Sequence, residues 1–226
     1  MLRTRCTQVL CSTLLGMVPA LGILESKPAV AETKTMAILT IILFNSSEAS
    51  HGTLVRSEKE VSGIFSKSGV RLAWIDCPPV SGSVRAPLCR EESAPGEIRV
   101  RIVDRQFKNY LPDGTFGFAV PPVWVTVYYE PALREARRFT DSGSDVSVIL
   151  GYLIAHEIGH LLLGEKAHAI DGIMTARWEI GQIQQALRRQ LKFTPEESKV
   201  MLRNAQARTS TIDTSMSEQP GRMTSR

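Results

Sequence analysis

Three of the four histidines in this chain fall in one short window, His156-Glu157-Ile158-Gly159-His160 and then, past Leu161-Leu162-Leu163-Gly164-Glu165-Lys166-Ala167, His168. On a helix, at ~100° per residue, position i+4 returns to within ~40° of i, so His156 and His160 project from nearly one face. Neutral imidazole nitrogen is a good ligand for Zn²⁺, and an open zinc site needs three protein ligands plus a water. Glu157, lying between the two rings, is placed to take a proton from that water. This is the mechanical content of an H-E-x-x-H sequence.

The approach to the window, residues 146–155, is apolar and carries no charge after Asp145. Ile158 and Gly159 are uncharged as well, and Leu161 to Leu163 continue the run. A surface helix keeps a polar face. This one is apolar nearly all round, so a buried helix is expected, and its two histidines and one glutamate need partners inside the protein. A core helix with merely hydrogen-bonded histidines would fit the same pattern, but a metal site is the stronger reading of the motif.

Gly164 is suited to end that helix in a left-handed conformation, and His168 follows after a short connector. Glu165 and Asp171 offer carboxylate oxygens close by. Over residues 154–178 the chain resembles the metzincin clan of zinc peptidases, whose extended motif H-E-x-x-H-x-x-G-x-x-H precedes a methionine-containing turn. Here the pattern is H-E-x-x-H-x-x-x-G-x-x-x-H, one residue longer on each side of the glycine, followed by Gly172-Ile173-Met174. The resemblance implies that His156, His160 and His168 bind one catalytic Zn²⁺, that Glu157 is the general base, and that Met174 forms an apolar floor beneath the rings. Some members carry a tyrosine just after the methionine; Thr175 and Ala176 stand there instead. Glu165 and Asp171 remain rival third ligands. Glu179 is the candidate if the site resembles zincins that recruit a glutamate from a second helix.

Arg3 and Arg5, an apolar stretch over 9–24 and Ala29-Val30-Ala31 together read as a secretory signal peptide over 1–31. The stretch is short for a membrane span and is broken by Pro19. No lipid-attachment box precedes Cys6 or Cys11. The expectation is a secreted protein, extracellular or periplasmic, with no stable membrane association after cleavage. Cleavage after Ala31 leaves only four residues before the first expected strand, too few for a pro-segment. Cys77 and Cys89 then form an even pair in an exported chain, which predicts a disulfide. The alternative is Cys77 as a thiolate latch on the metal. The formal net charge is +4, and half of it comes from Arg3, Arg5 and Lys27 against Glu25. The remaining charges are interspersed, which indicates no nucleic-acid face. There is no internal repeat.

Hydrophobic periodicity predicts strands over 36–44, 70–75, 97–103 and 123–129, and helices over 52–66, 131–138, 145–163 and 176–189. Asp113-Gly114 is a turn signal. Thr194-Pro195-Glu196-Glu197 is a capping box that opens a last helix to about Arg208. The fold class expected is α+β and zincin-like: a twisted mixed sheet packed on the H-E-x-x-H helix, with a small helical C-terminal subdomain. One domain would cover 32–208, its upper part 36–163 and its lower part 164–208, with a disordered tail over 209–226. In the resembling clan an edge strand above the cleft pairs with an extended peptide; here 123–129 is the expected edge, and Tyr128 and Tyr129 can line the cleft. Tyr152, one turn before His156, is a candidate hydrogen-bond donor at the site, and His51 is expected in a solvated polar turn.

These expectations describe a secreted zinc peptidase acting on a peptide or protein substrate. Two rivals stand beside it. One is a non-catalytic secreted zinc-binding or interaction protein on the same scaffold, against which an intact Glu157 argues. The other is a metal-dependent amidase acting on cell-wall peptide.

Overall fold

Runs of β-branched residues build a sheet whose two faces differ in what covers them. The computed structural model describes residues 36–77, 89, 94, 96–105, 115–139 and 144–217. Among these, five strands form one sheet: β1 (Ala37–Ser46), β2 (Val70–Cys77), β3 (Glu97–Val103), β4 (Gly117–Val120) and β5 (Trp124–Tyr128), in the order β2-β1-β3-β5-β4. β1 lies parallel to β2 and β3, and β3 parallel to β5, while β4 is antiparallel to β5. Parallel neighbours cannot be joined by a tight turn. Accordingly α1 (His51–Lys67) carries the chain from β1 to β2. Its N-terminus is capped by the Ser50 hydroxyl, which accepts from the Thr53 N–H at 3.2 Å.

On the helix side, Leu39, Ile41 and Leu43 of β1, Ile98, Val100 and Ile102 of β3, and Val125 and Val127 of β5 are buried against Val61 and Phe65 of α1. The same cluster includes Ile149, Ile154 and Ile158 of α3 (Ser144–Leu163). Each such side chain contributes ~1.5–3 kcal/mol relative to exposure. By composition α3 is long and apolar enough to cross a bilayer, yet 89% of it is buried inside the protein. The helix is a core element, as its charge-free run predicts. Period-two alternation turns Ile42 to the opposite face of the sheet, where it packs with Phe44, Ile75 and the disulfide Cys77–Cys89. The Cys77 sulfur is committed to that bond, so the latch is ruled out.

The remaining helices are α2 (Tyr129–Phe139), α4 (Ile180–Leu187) and α5 (Pro195–Ser217). α5 holds the end of α3. Asn204 Nδ2 donates to the Leu162 carbonyl at 2.6 Å, and an Arg208 Nη donates to Leu161 at 3.0 Å and to Pro122 at 2.8 Å. The bonds to Leu161 and Leu162 satisfy carbonyls that a helix C-terminus leaves without intrahelical partners.

The architecture is α+β with a mixed sheet, as expected, and three elements differ from expectation. The sheet edge is β4, not the strand expected over 123–129, because the chain from Gly117 pairs back on β5 across the Pro121-Pro122 turn and makes β5 internal. α4 starts at Ile180 rather than 176, since Gln182 Oε1 accepts the Glu179 N–H at 3.1 Å and closes the helix start there. α5 continues to Ser217 instead of ending near Arg208. Within this extension the hydroxyls of Thr209 and Ser210 both donate to the Gln206 carbonyl at 2.9 Å, turned back onto their own helix. The expected signal peptide, the Asp113-Gly114 turn and residues 218–226 lie outside the described residues.

Candidate metal centre

α3 carries His156, Glu157 and His160 into the interior, where they are 9%, 7% and 8% exposed. The ring of His156 is oriented by its Nδ1, which lies 2.7 Å from the Ile173 carbonyl oxygen. A carbonyl only accepts, so Nδ1 bears the hydrogen and Nε2 keeps its lone pair. His160 Nδ1 makes a longer contact of the same kind, 3.4 Å to the Gly164 carbonyl. The two Nε2 atoms then face each other at 3.1 Å. Two nitrogens bound tetrahedrally to zinc at ~2.0–2.1 Å would sit roughly 3.3 Å apart.

His168 arrives from the loop that follows α3. Gly164 adopts φ +114°, a conformation a side chain resists, and its N–H still bonds the His160 carbonyl at 2.9 Å. The chain then folds on itself: Ala167 N–H donates to Gly164 at 3.1 Å, and His168 N–H to Lys166 at 2.8 Å. These two turns take up the residues between Gly164 and His168, while those between His160 and Gly164 continue α3. Ala169 N–H next bonds the Met174 carbonyl at 2.8 Å, tying the loop to the chain beyond it. The His168 ring stands 4.8 Å from His160 and 5.8 Å from His156 between centroids. One ligand atom from each of the three histidines lies within 4.8 Å of the others, which makes them a group able to hold a metal ion. Three imidazoles converging on one point fit Zn²⁺.

The rival oxygen ligands do not join that group. Among the described residues it comprises the three histidines alone. Glu165 lines the same cleft without belonging to the cluster, Asp171 is exposed, and Glu179 caps α4. Met174 is fully buried below α3. A Cβ placed on Gly159 would lie 2.5 Å from its sulfur, so the methionine packs directly under the helix between the two ligand turns.

Burial sets the charge states. It lowers the His156 pKa to about 4, with the hydrogen bond to Ile173 partly opposing and the neighbouring His160 and His168 adding to the shift. Burial also lowers the pKa of His160. Both rings are therefore neutral near pH 7, the form that binds metal. Burial raises Glu157 to about 8, and a divalent cation beside it would pull that value back down. No described residue donates to the Glu157 carboxylate, which lines a cleft of about 450 Å³ shared with the three histidines.

One wall of the cleft is the sheet edge, with Gly117, Phe118 and Ala119; the other includes Leu153, Arg177 and Trp178. A Cβ on Gly117 would meet the Thr126 carbonyl oxygen at 2.6 Å and Glu157 Cγ and Oε1 at 3.1 Å. Only glycine lets this edge lie directly on the glutamate. Trp178 Nε1–H donates at 3.4 Å to the same Ile173 carbonyl that orients His156. Tyr128 and Tyr129 are buried and do not form the cleft wall. The Tyr152 hydroxyl donates at 3.4 Å to the Leu191 carbonyl, so it braces the chain after α4 instead of serving the site. His51 is the first residue of α1 and exposed.

Sequence reasoning does not single out Gly117, Phe118 or Arg177. The glycine-led tetrapeptide is too short to register as a strand, and periodicity puts residues 176–178 inside a helix. The E-x-x-Q spacing of Glu179 and Gln182 is the signal that releases them.

Comparison with family models and with curated proteins finds no match. Among solved structures, the chain is similar to a zinc-dependent peptidase from Methanocorpusculum labreanum (strain Z), with 19% identity, a TM-score of 0.48, and coverage of 72% of this chain and 99% of that one. It is also similar to archaemetzincin from Methanopyrus kandleri, with 15% identity, a TM-score of 0.45, and coverage of 78% and 99%.

Proposed function

We propose that this chain is a secreted zinc-dependent peptidase. The observation that carries the reading is the convergence of three imidazoles at one point, with a free carboxylate in the same cleft. In this reading Nε2 of His156, Nε2 of His160 and one ring nitrogen of His168 hold Zn²⁺. When bound there, the ion supplies Lewis acidity, acidifying water and polarising a scissile carbonyl. Glu157 takes the proton of the attacking water and delivers it to the leaving amine. Its carboxylate lines the same cleft as the three rings, within reach of a water held there. β4, at the sheet edge, offers backbone groups with which an extended peptide can pair, a recognition mode tolerant of sequence. The Cys77–Cys89 disulfide supports an oxidising compartment, in keeping with the N-terminal signal.

The test is zinc content per chain together with hydrolysis of casein, gelatin and peptidoglycan, with and without a chelator. One zinc per chain and chelator-sensitive cleavage of casein or gelatin are expected. Turnover of peptidoglycan alone would shift the substrate to cell-wall peptide. Zinc bound with no turnover of any substrate would leave a non-catalytic zinc-binding protein.

A further inference from the structure

The catalytic reading leaves the one arginine of the cleft without a task. Arg177 is exposed and lines the cleft between Ala176 and Trp178. Among the described residues it makes no ion pair or hydrogen bond, whereas Arg105, Arg138 and Arg189 are each held by a glutamate. Its backbone is not loose. Trp178 is fixed by its bond to the Ile173 carbonyl, and its ring stands edge-on 6.3 Å from His156. Arg177 therefore lines the cleft next to a residue that packs against His156. Glu165, the other acidic residue of the cleft beside Glu157, exerts its charge on His160.

We infer that Arg177 makes this cleft select a peptide that carries a carboxylate on the Trp178 side of the cleaved bond. The inference rests on the peptidase reading and adds a substrate class to it. A guanidinium presents a planar fork of donors that matches a carboxylate. The pair would form at the cleft wall, where Leu153 and Trp178 also stand. The carboxylate has two possible sources, an acidic side chain or the free C-terminus of a short peptide.

Internally quenched peptides with amidated ends, carrying Glu or Gln at each position flanking the cleaved bond, test the first source. All-Gln peptides ending in a free carboxylate at those positions test the second. The expected result is a preference of about ten-fold in kcat/KM for the carboxylate at one position, in either set. In Arg177→Gln that ratio should fall to about one, and Arg177→Glu should favour Lys at the same position. Zinc content and thermal midpoint of each variant, compared with the parent, establish that the fold is kept. Affinities of the Glu and Gln peptides for zinc-loaded Glu157→Gln give the same ratio without turnover. If the parent cleaves no peptide, the peptidase reading fails and this binding ratio alone decides the role of Arg177. Cleavage or binding with no preference at any position, or a preference that survives Arg177→Gln, overturns the inference.

Discussion

Burial turns three ordinary side chains into a site, and its consequences can be measured residue by residue. Glu157→Gln keeps the shape of the side chain and removes its basicity. It should lower kcat on any substrate the parent cleaves by a factor of about 10²–10⁴ while zinc content stays unchanged; a variant of near-parent activity would refute the role of Glu157. The metal-free protein makes a second prediction, in which His156 and Glu157 act with opposite sign. The folded pKa of His156 is depressed from 6.5 to about 4, so its contribution to stability is present above pH 6.5 and is lost as pH falls toward 4. The folded pKa of Glu157 is raised from 4.5 to about 8. Its contribution is present below pH 4.5 and is lost as pH rises toward 8. Between pH 4.5 and 6.5 the two slopes oppose each other; from 6.5 to 8 only Glu157 of the pair still acts. Glu58, raised to about 7 by burial and by Asp76, declines over part of the same range. The informative quantity is therefore the parent curve minus that of Glu157→Gln. Urea unfolding of the metal-free proteins should show the parent losing roughly 2 kcal/mol relative to the variant between pH 6.5 and 8, at ~1.4 kcal/mol per unit. Excess zinc should erase that difference, and parallel parent and variant curves without metal would show that Glu157 is not desolvated.

At the scale of elements, α3 is the part of the fold most legible in the sequence. A charge-free run longer than a turn must be buried, so the three polar groups inside it have to be satisfied inside the protein, and His156, Glu157 and His160 follow from that. His168 and Met174 are legible by resemblance, and the turns after Gly164 explain how a longer connector still brings His168 back. The sheet edge is not legible. Whether 124–128 lies at the edge or inside depends on pairing by β4, which holds only four residues and contains one glycine; no local periodicity carries that information. The start of α4 escapes for a related reason, because helix propensity across 176–179 is overruled by a cap at Glu179. Contact between elements also governs Gly159, on the underside of α3. Replacing glycine by alanine in a helix ordinarily stabilises by ~1 kcal/mol. Here the new methyl would fall 2.5 Å from the Met174 sulfur and 3.3 Å from Phe193 Cε1. Overpacking of this kind costs ~1–3 kcal/mol, and Met174 is fully buried with little space to retreat. Gly159→Ala should therefore lower stability by about 1 kcal/mol net and weaken zinc binding by tilting the two ligand turns. A zinc titration that matches the parent's would show that the floor of the site yields without disturbing the rings.

Over the whole molecule, the sheet separates two cross-links of different chemistry. The metal cluster belongs to α3 and its following loop on the helix side, while Cys77–Cys89 packs with Ile42 on the other face. The disulfide joins positions 12 residues apart, and the entropy of closing so short a loop is worth about 3 kcal/mol. If the three histidines hold zinc as proposed, the ion at roughly a thousand times its Kd adds about 4 kcal/mol by mass action. Perturbations without shared partners usually add to within ~0.5 kcal/mol. Replacing both cysteines by serine should therefore lower stability by about 3 kcal/mol whether or not zinc is present. For a domain of this size that is a fall of roughly 6–12 °C in Tm. Removing zinc should produce its own loss equally in the parent and in the double-serine protein. The four species, parent and variant with and without metal, form a cycle whose coupling term is expected near zero when unfolding is followed by calorimetry at fixed free zinc. A coupling above about 1 kcal/mol, or loss of zinc from the native protein on reduction alone, would mean that the two faces respond as one unit and that the disulfide helps to hold the metal ligands in place.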